Sequence, residues 1–447
     1  MMMTPPSILI RNGLLITMNA DRQVLDGSVY IEDGRILEVP SSRTKADAVI
    51  DATDCLVVPG FVQTHVHLCQ TLFRGMADDM DVIDWLRLRI WPLEQAHDER
   101  SIYDSARLGI AEMIRGGTTC ALTMETVHHT EEAFRAVIET GFRAISGKAM
   151  MDRWEPGTEM VGEETKASLE ASLALLGEFH GEGDGRLQVA FCPRGSRNCT
   201  EGLWADIVAL AAEHDTLIHT HAAENEAQTE RLAIDSATDI EYLHGLGATG
   251  PRLVAAHCIW VTEAEIAILA ESGTRVAHCP SCNTKLASGL APVPEFLERG
   301  IVVGLGADGA PCNNNLDMFQ EMRLASLVHK PRSGPRSMPA MSVLEMATLG
   351  GARALGLEDE LGSLEPGKRA DVIVIRRDGL HAQPQAGVDP IAQIVYEHRA
   401  SDVDSVIIDG RVLVRGGEFT ELDPMEICAR ANDSAKRVLS RAELTNG

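Results

Sequence analysis

The chain has 447 residues, 45% apolar and 24% charged, a composition of ordinary globular type in a length too great for one small core. Its 66 acidic against 40 basic side chains leave a net charge of -26, which repels phosphate backbones and anionic lipid and argues against nucleic acid and membrane surfaces as partners. No apolar run approaches the ~20 residues that a membrane-spanning helix needs.

The opening stretch, "MMMTPPSILIRNGLLITM", has no charged leader, and Arg11, Asn12 and Gly13 break its apolar run, so it does not read as a signal peptide. The ten cysteines are scattered singly apart from Cys279 and Cys282, and without an export signal they read as reduced thiols of a cytoplasmic protein. Residues 7–58 have the texture of short strands divided by Asn-Gly and Asp-Gly turn signals. The same texture returns in "GSLEPGKRADVIVIRR" and "VDSVIIDGRVLVRGGEF". Between these flanks short apolar strands alternate with helical patterns: "TTCALTM", "RAISGKAMM", "LQVAFCP", "TLIHTHAAE", "RLVAAHC", "RVAHCP" and "IVVGLGAD". Such alternation over this length fits an α/β fold, a (β/α)8 TIM-like barrel over residues 61–360. Residues 1–60 and 361–447 would then pair into a small β-sandwich domain, with "PMEICARANDSAKRVLSRAEL" as a terminal helix.

The chemistry concentrates at the ends of the barrel strands. In "PGFVQTHVHLCQ", His65 and His67 are two residues apart and share one face of a strand. Alone, this pair is as easily core filling as a metal site. However, "LIHTHAAE" ends on His221, "LVAAHC" carries His257 and "VVGLGAD" ends on Asp308. These fall on about the first, fifth, sixth and eighth strands, and closure brings such ends onto one rim, where barrel enzymes keep their functional groups. Imidazoles with one carboxylate suit a borderline divalent cation such as zinc. His219 has the parity of His221 but lies deeper, and reads as a core histidine. Glu224, three residues after His221, is placed to take a proton from an activated water and return it to a leaving group; the plainer alternative is a helix-capping acid at the start of "HAAENEAQTE".

These motifs, with "GLGADGAPCNNNLDMFQEMRLASL" and "LGSLEPGKRADVIVI", resemble the amidohydrolase superfamily in its cytosine-deaminase and triazine-hydrolase-like branch, along essentially the whole chain. Closest in texture are the aminohydrolases of 5'-modified adenosines. The resemblance implies one zinc per subunit, with Fe2+ an alternative, held by His65, His67, His221 and Asp308. His257 would hydrogen-bond the activated water or the developing partner of the ring nitrogen. The implied reaction is hydrolysis at C6 of an adenine ring, with Asp308 accepting the water's proton and Glu224 protonating the neighbouring ring nitrogen. The substrates implied are 5'-deoxyadenosine, methylthioadenosine, S-adenosylhomocysteine and adenosine; guanine, 8-oxoguanine or an s-triazine is the alternative. By the same resemblance Glu94 would accept hydrogen bonds from ribose hydroxyls, in keeping with a carboxylate's acceptor-only character. Trp85 and Trp91 would wall the pocket or merely pack, Arg194 stands where one group of these enzymes carries arginine, and His278 and Asn283 would line the site. Lys148 would lie near the 5' side rather than bridge two metals. The expected protein is a homo-oligomer, dimer or tetramer.

Two rival motifs fail on their surroundings. "GLGADG" spells G-x-G-x-x-G, but Asp308 would oppose a pyrophosphate and Pro311 follows where a helix should start. "HAAE" and "HCPSC" approach a cytidine-deaminase zinc signature with the glutamate one residue too far and the proline inside the cysteine pair.

Overall fold

The computed structural model describes residues 7–154, 162–196, 198–226, 238–442 and 444. The start of the leader reading, Arg197 of "GSRN" and the continuation of "HAAENEAQTE" beyond residue 226 lie outside them.

Eight parallel strands form the central sheet: Phe61–His67, Thr118–Met124, Arg143–Gly147, Leu187–Val189, Ile218–Ala222, Leu253–His257, Arg275–His278 and Val303–Leu305. The eighth pairs with the first through Leu305 and Gln63, and Asp308–Gly309 extends that pairing at Val66 and His67. The fourth and fifth meet through the bridges Phe191–Ile218 and Gly195–His221, which complete the circle. The first two strands are buried along their whole length, as strands covered on both faces must be, and so read as unbroken runs rather than alternating ones. Val62, Leu122, Ile145, Val254, Ala256 and Ala277 fill the interior, while Phe61, Ala121, Ala144, Ala255 and Val276 pack outward on the helices.

A second sheet joins the two ends of the chain. Ser7–Ile16, Val24–Glu32, Arg35–Glu38, Ala48–Asp51 and Cys55–Pro59 meet Val372–Arg376, Val403–Ile408, Arg411–Arg415 and Glu418–Phe419, with Val58 opposite Ile373. Asp33–Gly34 and Asp409–Gly410 have positive φ at both residues and make the tight turns expected of Asp-Gly. Asn12–Gly13 does not form a turn. Ser7–Ile16 continues through it as one strand with a bulge between Ile10 and Gly13. Glycine is required there because a Cβ would come 2.5 Å from a methyl of Val57. The helix Pro424–Arg441 lies on the barrel helix Glu99–Arg115, where Arg430 and Ser434 bond the buried Asp104 carboxylate at 2.8 and 2.6 Å. Among the described residues no helix is long and apolar enough to cross a membrane.

Glu321 supports the loop after the eighth strand, accepting the Ser281 N–H at 3.2 Å and the Asn313 amide at 2.8 Å. Burial pushes its carboxyl from an ordinary 4.5 up to about 7. Between those values the folded chain keeps a proton that the unfolded chain has released, so stability falls as pH rises through that window. At about 1.4 kcal/mol per pH unit the effect is of order 3 kcal/mol. Glu321→Gln is expected to flatten the fall in urea-unfolding free energy between about pH 5 and about pH 8 relative to the parent. A parallel fall in both proteins would show that Glu321 does not titrate there. Glu125, also pushed up to about 7 by burial, preserves part of the slope.

Candidate active site

The first strand carries an extra residue between Gln63, opposite Ala121, and Val66, opposite Thr123. Beyond this bulge His65 and His67 both face the barrel axis at the C-terminal rim. His221, His257 and Asp308 end the fifth, sixth and eighth strands beside them, so the strand count expected from the sequence is the one observed. His257 and Asp308 have φ of 73° and 62°, left-handed values that non-glycine residues adopt at some expense. Such strain gathers where surrounding structure must hold a side chain in one direction.

Each imidazole is oriented by a bond from its Nδ1. His67 donates to the Met124 carbonyl at 2.7 Å, His221 to the Arg194 carbonyl, and His257 to the Asn283 side-chain oxygen at 2.8 Å. His219 donates from Nδ1 to the Val254 carbonyl at 2.9 Å, so its Nε2 accepts from His65 Nδ1 at 2.7 Å. Since carbonyl oxygens only accept, the four site imidazoles are left with bare Nε2 lone pairs. These lone pairs converge. His67 Nε2 is 3.3 Å from His221 Nε2, and Asp308 Oδ1 is 3.2 and 3.3 Å from His65 and His67 Nε2. Burial and the nearby His65 push His67 down to about 4, and burial holds His221 and His219 well below the ordinary histidine value, so a proton on those rings is disfavoured. Buried donors this close repel unless a cation lies among them. Ligand atoms about 2.0–2.1 Å from a tetrahedral ion are about 3.3–3.4 Å apart, which is the spacing found. The set His65, His67, His221 and Asp308 therefore fits a zinc-like ion.

His219 lies in the core, as its depth suggests, but it also sets the tautomer of His65. Sequence parity groups it with His221 without showing that the deeper imidazole holds the outer one. His219→Ala should weaken zinc binding about 10–100-fold in competition with a chelator. Unchanged affinity would mean that His65 needs no such support.

Beside the donors, His257 Nε2 is 3.8 Å from both Glu224 Oε1 and Asp308 Oδ2. Burial raises Glu224 above the usual carboxylate range, so its proton is retained more readily at neutral pH. The three groups border one small space. Asn283 enters it through His257, and its Nδ2 and both nitrogens of the buried His278 find no partner among the described residues.

Glu94 is buried, 4% exposed, and gripped mainly by two side chains. Arg194 binds it with both terminal nitrogens, at 2.7 and 3.2 Å, and Gln70 donates at 2.8 Å. Burial alone would raise its pKa, but Arg194's charge and hydrogen bonds outweigh this and hold Glu94 below the usual range. The Arg194 guanidinium, 6.0 Å from the Trp91 ring centre, thus acts toward Glu94, and Gln70, which sequence reasoning missed, completes the clamp. The indole N–H groups of Trp85 and Trp91 are buried without partners among the described residues. Lys148 lies farther round the rim. It pairs with Glu163, donates to the Ala149 carbonyl at 3.1 Å, and borders a cavity of about 450 Å³ with Val127 and His128.

Comparison with known proteins agrees with this architecture. The amidohydrolase family model matches residues 56–413. A 5'-deoxyadenosine deaminase of Methanothermobacter thermautotrophicus is 42% identical over 98% of this chain and 99% of its own length. A 5-methylthioadenosine/S-adenosylhomocysteine deaminase of Syntrophomonas wolfei is 38% identical over 97% of this chain and 100% of its own. Among solved structures, an adenosine deaminase from Xanthomonas campestris with bound zinc superposes with a TM-score of 0.90 at 30% identity, covering 97% of this chain and 98% of that one.

Proposed function

This chain belongs to the amidohydrolase family, and on that premise we propose that it is a zinc-dependent aminohydrolase of adenosine-type nucleosides. The products are the inosine analogue and ammonia. The observation that carries the reading is the meeting of Glu224, His257 and Asp308 Oδ2 directly beside the converging ligand atoms. His65, His67, His221 and Asp308 would hold the ion, which would supply Lewis acidity toward a water. Asp308 Oδ2 accepts that water's proton as its oxygen attacks C6 of the adenine. His257 Nε2 accepts a hydrogen bond from the same water and so aims it. Glu224 gives its proton to N1, which removes aromatic resistance at C6. The C6–N bond then breaks, the proton on Asp308 leaves with ammonia, and the proton still on the C6 oxygen passes to Glu224, which restores its acid form and leaves the carbonyl of the inosine analogue. Each transfer of this kind is worth on the order of 10²–10⁴-fold in rate.

Glu94 accepts from the ribose hydroxyls, and Arg194 and Gln70 keep it ionised and in place. Trp85 and Trp91 wall the nucleoside, His278 and Asn283 line the base, and Lys148 with Glu163 bounds the 5' side. The same reading divides the chain into the barrel of 61–360 and the flanks 1–60 and 361–447, which form a small β-sandwich. It places a homo-oligomer in the cytoplasm, where the ten free cysteines stay reduced.

Ammonia release decides the matter. Zinc-loaded protein should turn over 5'-deoxyadenosine, methylthioadenosine, S-adenosylhomocysteine and adenosine, and chelation should abolish this. Turnover of guanine, 8-oxoguanine or a triazine alone, indifferent to Glu94→Gln, would instead establish a free-base hydrolase.

A further inference from the structure

Three thiols border the reaction space without a part in the chemistry above. Cys279 follows His278 at the end of the seventh strand, Cys282 lies in the short helix Pro280–Lys285, and Cys312 in the turn Ala310–Asn313 that follows Asp308. All three are buried. The sulfurs of Cys282 and Cys312 and a carboxylate oxygen of Asp308 lie within 4.8 Å of one another. Cys282 also lies within 4.8 Å of His257 and Glu224, and Cys279 within 4.8 Å of His257 and Asp308. Asp308 divides its oxygens: Oδ1 faces His65 and His67 and accepts the Gly309 N–H at 2.7 Å, while Oδ2 turns toward His257. His257 Nε2 has no hydrogen-bond partner among the described residues.

Apolar packing accounts for part of this, since the thiols share a cluster with Phe73 and Trp85. Cys312 Sγ also donates to the Gly309 carbonyl at 3.0 Å, but neither packing nor that bond calls for sulfurs from two separate loops beside a carboxylate. Two thiolates and a carboxylate select thiophilic d10 ions. Ligand sulfurs about 2.3 Å from a tetrahedral zinc are about 3.8 Å apart, a spacing that the 4.8 Å limit on these ligand atoms admits.

We propose that Cys282, Cys312 and Asp308 Oδ2 form a second cation site, specific for thiophilic ions such as Cd2+ or surplus Zn2+, and that filling it stops the reaction. Binding breaks two S–H bonds, releases both protons to solvent and forms two metal–sulfur bonds, with no oxidant or reductant involved. The ion also covers the oxygen that accepts the water's proton. The inhibition rests on the deamination proposed above, whereas the ion count does not.

Holoprotein carrying one zinc would be titrated with Cd2+, desalted and analysed for both metals, with thiolate-to-cadmium charge-transfer absorption followed in the ultraviolet. The expected result is one cadmium beside one retained zinc, absorption from two thiolates, and at least a tenfold loss of ammonia release. Cys282→Ser and Cys312→Ser should each halve the absorption, and the double variant should keep its zinc and take no cadmium. Protection of two thiols from alkylation by Cd2+ in the unaltered protein gives the same answer without a variant. Cadmium that displaces zinc one for one, or binds without thiolate absorption or thiol protection, would overturn the second site. Protein that never holds zinc would instead overturn the proposed function.

Discussion

Glu224→Gln should lower kcat/KM for 5'-deoxyadenosine by about 10²–10⁴-fold while zinc content stays at one ion per chain. Glutamine matches the shape of a protonated glutamic acid but cannot transfer a proton to the ring nitrogen. The converging ligand atoms belong to His65, His67, His221 and Asp308, so the ion has no reason to leave. The loss should fall on kcat, because the proton moves as the transition state forms. Steady-state ammonia release with parallel metal analysis reads both quantities. A variant with nearly full activity would reduce Glu224 to an ordinary acid at the start of a helix. A variant without zinc would make it a ligand rather than an acid–base group.

Arg194→Met should be the most damaging change away from the metal. It leaves the Glu94 carboxylate buried with Gln70 as its nearest remaining donor. Breaking a buried pair from one side typically removes about 3–5 kcal/mol of stability, because the remaining charge is uncompensated. Without Arg194, burial would push the Glu94 carboxyl upward and weaken it as an acceptor toward ribose, so KM for nucleosides should rise. The double variant Glu94→Gln/Arg194→Met should recover much of the stability and none of the nucleoside affinity, a strongly non-additive cycle. Urea unfolding with steady-state kinetics on adenosine checks it. Additive losses in stability would show that the two side chains do not act as a pair.

Strand–helix alternation and the placing of histidines at strand ends were legible because both depend on local periodicity. The barrel strand Thr118–Met124 coincides with the apolar run that announces it. What depends on through-space pairing was not legible. Arg194 could be placed in the pocket but not on Glu94, and no spacing rule connects "WPLE" with "FCPRG". His219 could be called buried, but not the partner of His65. Asn12–Gly13 has turn chemistry, yet Arg11 and Asn12 bulge from a continuing strand because Gly13 must pass against Val57. Local residues allowed either outcome, and contact with a neighbouring strand decided it.

The antiparallel pairing of Val58 with Ile373 has a consequence during synthesis. Cys55–Pro59 leaves the ribosome with one edge satisfied by Ser7–Ile16 and the other bare, and its partner emerges only after the entire barrel has been made. At translation rates of about 5–20 residues per second that wait is on the order of tens of seconds. Through it the nascent chain presents an open, apolar strand edge of the kind that recruits other strands. The barrel can close before the sheet that seals the chain's two ends, and truncation short of Val372 would leave that edge permanently uncovered.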